Sequence, residues 1–348
     1  MPSVLPPSTV LITGASGFSA AWVVNALLKD GYRVRGTVRS EAKAQYLKAL
    51  FKQYLDRFET AIVPDIAKAH AFDDVLDGVS GVVHIAGSVS LIEGNGNEIM
   101  SSNVEGVGHL MDSMKTHGQS VKRFVYMSSA KALLGNPQLD YVYGENDWND
   151  KAVALVEEQG SRADGESAYA ASKVLAERAI IKFTEDADVS WDATRIVPAW
   201  IYGPIIHDCK SVDDLNLSTK VMYQYLTSPP DKTLLKGYCT DYIDVRDVAQ
   251  AFLAALKTEA AGGRRFILDA GAVTYQNLYD AVHAISPDMP QVPYGDPSAE
   301  KFSFEGAFCD STPAKEVLHL KDFIGIGVCA RDTLTSLYEK GLLGETHM

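Results

Sequence analysis

Tyr169 and Lys173 stand four residues apart in the run Ser167-Ala168-Tyr169-Ala170-Ala171-Ser172-Lys173, whose alanines favour a helix. On a helix that spacing puts both side chains on one face. A phenol titrates near pH ~10, and a neighbouring ammonium stabilises the phenolate. The pair therefore predicts a tyrosine that exchanges a proton with a substrate oxygen near neutral pH, its pKa lowered by the lysine. Chance alone supplies roughly one Tyr-x-x-x-Lys in a chain of this kind, so its meaning depends on its surroundings. Upstream lies Met127-Ser128-Ser129-Ala130, where a serine hydroxyl could hydrogen-bond the oxygen that Tyr169 protonates.

Such groups need elements that bring them together. Thr9-Val10-Leu11-Ile12-Thr13 reads as a buried strand, Gly14-Ala15-Ser16-Gly17-Phe18-Ser19-Ala20 as a glycine turn, and residues 21–29 as a helix. Strand, glycine turn and helix in that order let a backbone approach a pyrophosphate resting on the helix N-terminus. The spacing is Gly-x-x-Gly-x-x-Ala rather than the commoner Gly-x-Gly-x-x-Gly, and the alternative is an ordinary tight turn.

Strands predicted over 33–38, 58–63, 81–86 and 122–127 alternate with helices over 41–55, 72–76 and 103–117. Alternation of this kind implies an α/β fold, a doubly wound parallel (Rossmann) sheet with its ligand at the carboxyl ends of the strands. Residues 133–165 read as mostly loop, the Tyr169 helix runs to about 183, and a sixth strand over 191–197 ends at Pro198. Beyond it the alternation fails. A loop and helix over 208–231, a helix over 249–256 capped by Asp247, and helices over 275–284 and 330–341 suggest a smaller lobe. The expected division is 8–198 plus 237–269 for the dinucleotide-binding domain, and 199–236 plus 270–345 for the substrate-binding lobe.

The second predicted strand ends in Thr37-Val38-Arg39-Ser40, with Lys43 one helical turn on. An NAD-preferring site needs a carboxylate there for the ribose 2′-hydroxyl. Arg39 and Lys43 instead suit a 2′-phosphate, so the expected cofactor is NADPH.

The chain has 348 residues, with 32 Lys and Arg against 45 Asp and Glu, a formal charge of −13 that disfavours a phosphate-backbone partner. No apolar run reaches the ~18 residues of a membrane span, and Met1 to Pro7 carries no leader pattern and reads as a short disordered arm. Cys209, Cys239, Cys309 and Cys329 lie far apart without a Cys-x-x-Cys. They fit reduced thiols in a cytoplasmic protein. His207-Asp208-Cys209 resembles a metal cluster only in composition and reads as a loop, and His84 as a packed core histidine; no metal is expected.

Taken together, Thr13-Gly14-Ala15-Ser16-Gly17-Phe18, Val63-Pro64-Asp65-Ile66, Val83-His84-Ile85-Ala86, Ser128-Ser129, Tyr169-x-x-x-Lys173, Val197-Pro198-Ala199-Trp200-Ile201-Tyr202-Gly203-Pro204 and Tyr242-Ile243-Asp244-Val245-Arg246-Asp247-Val248-Ala249 form a specific set. The chain resembles an extended short-chain dehydrogenase/reductase from about Thr9 to Leu256. More narrowly it is similar to the branch of dihydroflavonol reductases, cinnamoyl-CoA reductases and yeast-type NADPH-dependent aldehyde, methylglyoxal and ketone reductases.

The resemblance implies that Ser129 holds the substrate carbonyl, Tyr169 supplies the proton, and Lys173 assists while binding the nicotinamide ribose. Asn103 matches the position that completes a proton relay. Gly14, Ser16, Gly17, Phe18 and Ser19 would form the pyrophosphate turn, with Asp65 and Ile66 flanking the adenine. Ala86, Gly87 and Ser88 would stand on the ribose and pyrophosphate side, and Pro198, Ala199 and Ile201 by the nicotinamide. Val89 and Trp200, with neighbours from 205–225, would line an apolar substrate pocket.

Two departures stand out. Gly87-Ser88-Val89 lacks the proline that the branch usually carries after a small residue, so this loop is expected to differ in shape. Lys131 replaces a neutral or aromatic residue and either points to solvent or binds an acidic substrate. The implied activity is NADPH-dependent reduction of small-molecule aldehydes or ketones by a monomer or homodimer. A sugar-nucleotide or steroid-type enzyme shares the fold, but the motifs around Arg39 and Tyr242 argue against it; a non-catalytic NADPH-binding redox sensor usually lacks the Tyr-Lys pair.

Overall fold

The computed structural model describes residues 3–89, 96–135, 141–186, 188–228, 232–235, 237–289, 291–296 and 308–343. Seven parallel strands form one sheet: β1 (Thr9–Thr13), β2 (Arg33–Val38), β3 (Phe58–Ile62), β4 (Val79–His84), β5 (Arg123–Met127), β6 (Asp192–Pro198) and β7 (Arg265–Leu268). Their spatial order is β7-β6-β5-β4-β1-β2-β3. The winding reverses between β1 and β4, and the crevice at that switch point is where a doubly wound sheet takes its ligand.

Parallel strands covered on both faces read as near-continuous apolar runs, and β1, with Val10, Leu11 and Ile12 fully buried, is such a run. One face packs against α1 (Phe18–Lys29) and the helix Val245–Lys257 through Val23, Val24, Leu27, Phe252 and Leu256. The other packs Leu11, Val82 and Phe124 against Val107, Leu110 and Met114 of the helix Gly106–His117, and against Ala176 and Ile180 of the helix Gly165–Asp186. A third core of Tyr202, Met222, Leu278, Tyr279, Val282 and Leu334 joins the helices Leu217–Thr227, Tyr275–Ile285 and Ile326–Glu339.

Four expectations need correction. Residues 150–159, read as loop, form the helix Asp150–Gln159; Asn149 caps it by accepting from the Ala152 amide at 3.0 Å, and Ala152 and Val153 bury against the Tyr169 helix. The turn-forming residues around the segment hid its own helical composition. The alternation does not end at Pro198, because β7 adds a seventh strand beside β6. It is only four residues long, follows Gly262-Gly263, and opens on an arginine, so no strand pattern stands out. The cap of helix Val245–Lys257 is Asp244, whose carboxylate accepts from the Arg246 amide at 2.8 Å; Asp247 lies in the first turn and accepts from the Ile324 amide at 2.8 Å.

The arm is docked from Ser3 onward: Val4 is buried, its amide donates to Leu256 O at 2.8 Å and its carbonyl accepts from Tyr32 at 2.7 Å. Met1 and Pro2 lie outside the described residues. Among those residues no helix is long and apolar enough to cross a membrane.

Candidate active site

A cleft of about 1070 Å³ opens at the carboxyl ends of the strands. Tyr169 and Lys173 face it from the helix Gly165–Asp186, and Ser129 faces it from the end of β5. The Ser129 hydroxyl acts on the Tyr169 phenol across the cleft, and it accepts from the Lys131 amide at 3.3 Å. Tyr169 is half-buried, and enclosure of its hydroxyl raises the phenol above its ordinary pKa while the nearby Ser129 hydroxyl pulls the other way.

Lys173 is buried, and burial lowers its ammonium to about 8 against the opposing charge of Glu177. Its Nζ donates to Met127 O at 3.1 Å, lies 3.4 Å from the Tyr126 hydroxyl, and sits 5.7 Å from the centre of the Tyr169 ring. The sequence expectation therefore needs amending. Lys173 does not draw the Tyr169 phenol toward neutrality here; burial dominates, and the phenol keeps its proton.

Asn103 sits in a π turn, Ser101–Glu105, ahead of the helix Gly106–His117, and is buried. π turns recur at functional sites because they re-aim a side chain within a helix. Here Asn103 Oδ1 accepts from the Ser88 amide at 2.8 Å, while Nδ2 donates to Ser88 O and to Ser172 Oγ, both at 3.0 Å. It thus ties the 86–89 loop to the Tyr169 helix. The absent proline now has a structural correlate: a proline at 88 would have no N–H for Asn103. At Gly87 a Cβ would stand 2.5 Å from Asn103 Oδ1, so the loop is built around that contact.

Gly14 has φ +64°, and a Cβ on it would press on Ala86 at 3.1 Å. The turn is held from below by Thr13, whose hydroxyl accepts from the Ile85 and Ala86 amides, each at 3.1 Å, and lies 2.8 Å from His84 Nδ1. With two donors already pointing at it, the hydroxyl gives its own proton to Nδ1, so His84 is a neutral Nε2–H tautomer. Burial and the Lys173 charge hold His84 down at about 3.

Gly17 caps α1 in an extended conformation without a side-chain hydrogen bond, and no acidic residue occupies the first turn. The helix N-terminus is therefore open to an anion, and the close backbone approach at Gly14 and Ala86 fits a dinucleotide pyrophosphate.

At the far end of the cleft Arg39 is exposed and, among the described residues, has no carboxylate partner. Lys43 pairs with Asp208 at 3.0 Å. Ser16, Ser19, Asp65, Ile66, Pro198, Ala199, Ile201, Val89 and Trp200 line the same cleft, and Trp200 stacks on Tyr202 at 6.2 Å. Lys131 lines it too, its ammonium paired with Glu166, so that charge is already balanced. Of the cofactor, substrate and catalytic residues expected from sequence, Asn103 alone stands behind the lining.

The family model for the NAD-dependent epimerase/dehydratase family matches residues 10–269. The chain belongs to that family.

Within this extended short-chain dehydrogenase/reductase family, a putative NADPH-dependent methylglyoxal reductase, GRP2, of Candida albicans is 33% identical over 90% of this chain and 94% of its own length. The NADPH-dependent methylglyoxal reductase GRE2 of Saccharomyces cerevisiae is 31% identical over 90% of this chain and 93% of its own length. A crystal structure of yeast methylglyoxal/isovaleraldehyde reductase Gre2 complexed with NADPH matches with TM-score 0.84 at 29% identity, covering 96% of this chain and 100% of that one.

Sequence reasoning missed Tyr126, Glu166, Glu177 and Asp208, which respectively contact Lys173, pair Lys131, act on Lys173 and pair Lys43. None carries a local signal, since each gains its meaning from a partner on another strand, helix or loop or, for Glu177, from burial. Among the described residues no three His, Cys, Asp or Glu side chains gather as a metal site; Cys209 Sγ lies 3.2 Å from His207 Nε2, and Asp208 faces Lys43.

Proposed function

We propose that this protein is an NADPH-dependent reductase that converts aldehydes and ketones to alcohols, with Ser129, Tyr169 and Lys173 as its working groups. The observation that carries this reading is their meeting in one cleft with an uncapped helix N-terminus and an exposed arginine. When bound, the reduced nicotinamide supplies the hydride that the carbonyl carbon accepts. Ser129 donates a hydrogen bond to the carbonyl oxygen and Tyr169 gives that oxygen its proton, so negative charge does not accumulate there. A phenol raised by burial holds its proton until this moment. Lys173 stands ready to stabilise the phenolate left behind, and Asn103 keeps the neighbouring loop in place for return of a proton from solvent.

For the cofactor, Gly14, Ser16, Gly17, Phe18 and Ser19 would take the pyrophosphate, and Arg39 with Lys43 the 2′-phosphate. Asp65 and Ile66 would flank the adenine. Ala86, Gly87, Ser88, Tyr169 and Lys173 would face the riboses, and Pro198, Ala199 and Ile201 the nicotinamide. The substrate would lie among Val89, Trp200 and Ser129, with Lys131 at the rim. Residues 8–198 plus 237–269 would hold the cofactor, and 199–236 plus 270–345 would shape the pocket. The redox-sensor alternative is disfavoured by an intact Ser-Tyr-Lys set.

The test is NADPH consumption by the purified protein with methylglyoxal, isovaleraldehyde, aryl ketones and β-ketoesters, with the alcohol products identified. Alcohol formation in step with NADPH loss is expected. NADPH binding without turnover of any carbonyl would instead favour the sensor.

A further inference from the structure

Tyr169, Lys173 and Glu177 recur every four residues on the helix Gly165–Asp186 and so form one stripe. The first two face the cleft. Glu177 is fully buried one turn deeper. Its Oε1 accepts from the Ser128 hydroxyl and from Arg265 Nη2, the latter at 2.9 Å. Its Oε2 lies 2.8 Å from Arg265 Nε and 3.7 Å from Arg195 Nε.

Arg265 is itself held by further contacts. It donates to the carbonyls of Glu145 at 3.3 Å and Asp147 at 2.6 Å, and its guanidinium lies 4.1 Å from the centre of the Trp148 ring. A buried ion pair is a poor source of stability, because the cost of desolvation offsets the attraction. What such a pair can do is fix geometry. Side chains of consecutive residues in extended backbone point to opposite faces, so a Ser128 hydroxyl drawn inward leaves Ser129 turned outward, to the cleft. Lys173 meanwhile holds the carbonyl of Met127. The helix thus grips Met127 and Ser128 through Lys173 and Glu177, and the next residue is Ser129.

We propose that Glu177, clamped by Arg265, is a positioning residue for the reduction: by holding Ser128 it aims Ser129 at the Tyr169 phenol. The inference rests on the reading of Ser129, Tyr169 and Lys173 given under Proposed function. Lys173 is faced by Tyr169 and Glu177 from its own helix, Tyr126 from β5 and His84 from β4. Glu177 is the acid among them.

Two variants separate the parts. Ser128→Ala removes the grip without unpairing a buried charge, and is expected to lower kcat by about tenfold to a hundredfold with the KM for NADPH and the melting temperature close to wild type. Glu177→Gln should in addition move the alkaline limb of kcat/KM to lower pH, because the lysine loses the charge that favours its protonated form; Ser128→Ala should leave that limb in place. If Glu177→Gln fails to fold with Arg265 unpaired, Ser128→Ala decides alone. Variants that melt lower but keep wild-type kcat and pH profile when folded would overturn the proposal and leave a structural role. An inactive wild-type protein would overturn the assigned chemistry itself, and the positioning role with it.

Discussion

The carboxylate of Asp208 lies 3.0 Å from the Lys43 ammonium, across the end of the cleft where Arg39 stands exposed. One of the two cations expected at the cofactor 2′-phosphate therefore shares its charge with a carboxylate, and among the described residues the other does not. Arg39→Ala should raise the KM for NADPH about tenfold or more, the loss of one charge-assisted contact, with little change for NADH. Lys43→Ala should cost less. Steady-state kinetics with both cofactors give the comparison, and equal losses for NADPH and NADH would assign Arg39 to the fold.

Buried Lys173 titrates at about 8, lowered by burial and partly restored by Glu177. Its protonated form is the one that stabilises a phenolate, so kcat/KM should fall as pH rises through about 8. His84, held near 3, contributes no limb between neutral and alkaline pH. A pH profile flat from 7 to ~10 would show that the lysine charge is not used.

Gly87 is closed to any side chain, because a Cβ there would meet Asn103 Oδ1 at 2.5 Å. Gly87→Ala must displace the amide that ties the 86–89 loop to the Tyr169 helix, at a cost of roughly 1–3 kcal/mol. Lower thermal stability together with reduced kcat is expected. An unchanged melting temperature would mean that the loop adjusts without Asn103.

Val89 and Trp200 give the substrate end apolar walls, and Lys131 is balanced by Glu166. An aryl ketone or aldehyde should be reduced with kcat/KM about tenfold or more above an open-chain sugar. Comparable efficiencies would mean that polar groups dominate the pocket.

The sheet and its cofactor turn were legible because β1, the glycine turn and α1 are contiguous and their pattern is local. Tyr169 and Lys173 were legible because helical spacing alone puts them on one face. The same spacing carries Glu177, yet nothing nearby marks it as buried, for its partner Arg265 enters from β7, 88 positions further along the chain. β7 escaped notice for a related reason: the arginine before it, Arg264, and the one that opens it, Arg265, find Glu145 and Glu177 only in the folded chain. The raised Tyr169 phenol was illegible too, since spacing reports a lysine nearby but not where its ammonium points.

The most direct test is the Tyr169→Phe variant, assayed for carbonyl reduction and for NADPH binding by cofactor fluorescence. The ring remains to pack while the proton donor is gone. Reduction should fall by about 10²–10⁴-fold with the NADPH dissociation constant almost unchanged. Retention of more than about a third of the wild-type rate would contradict the role of Tyr169 as the acid.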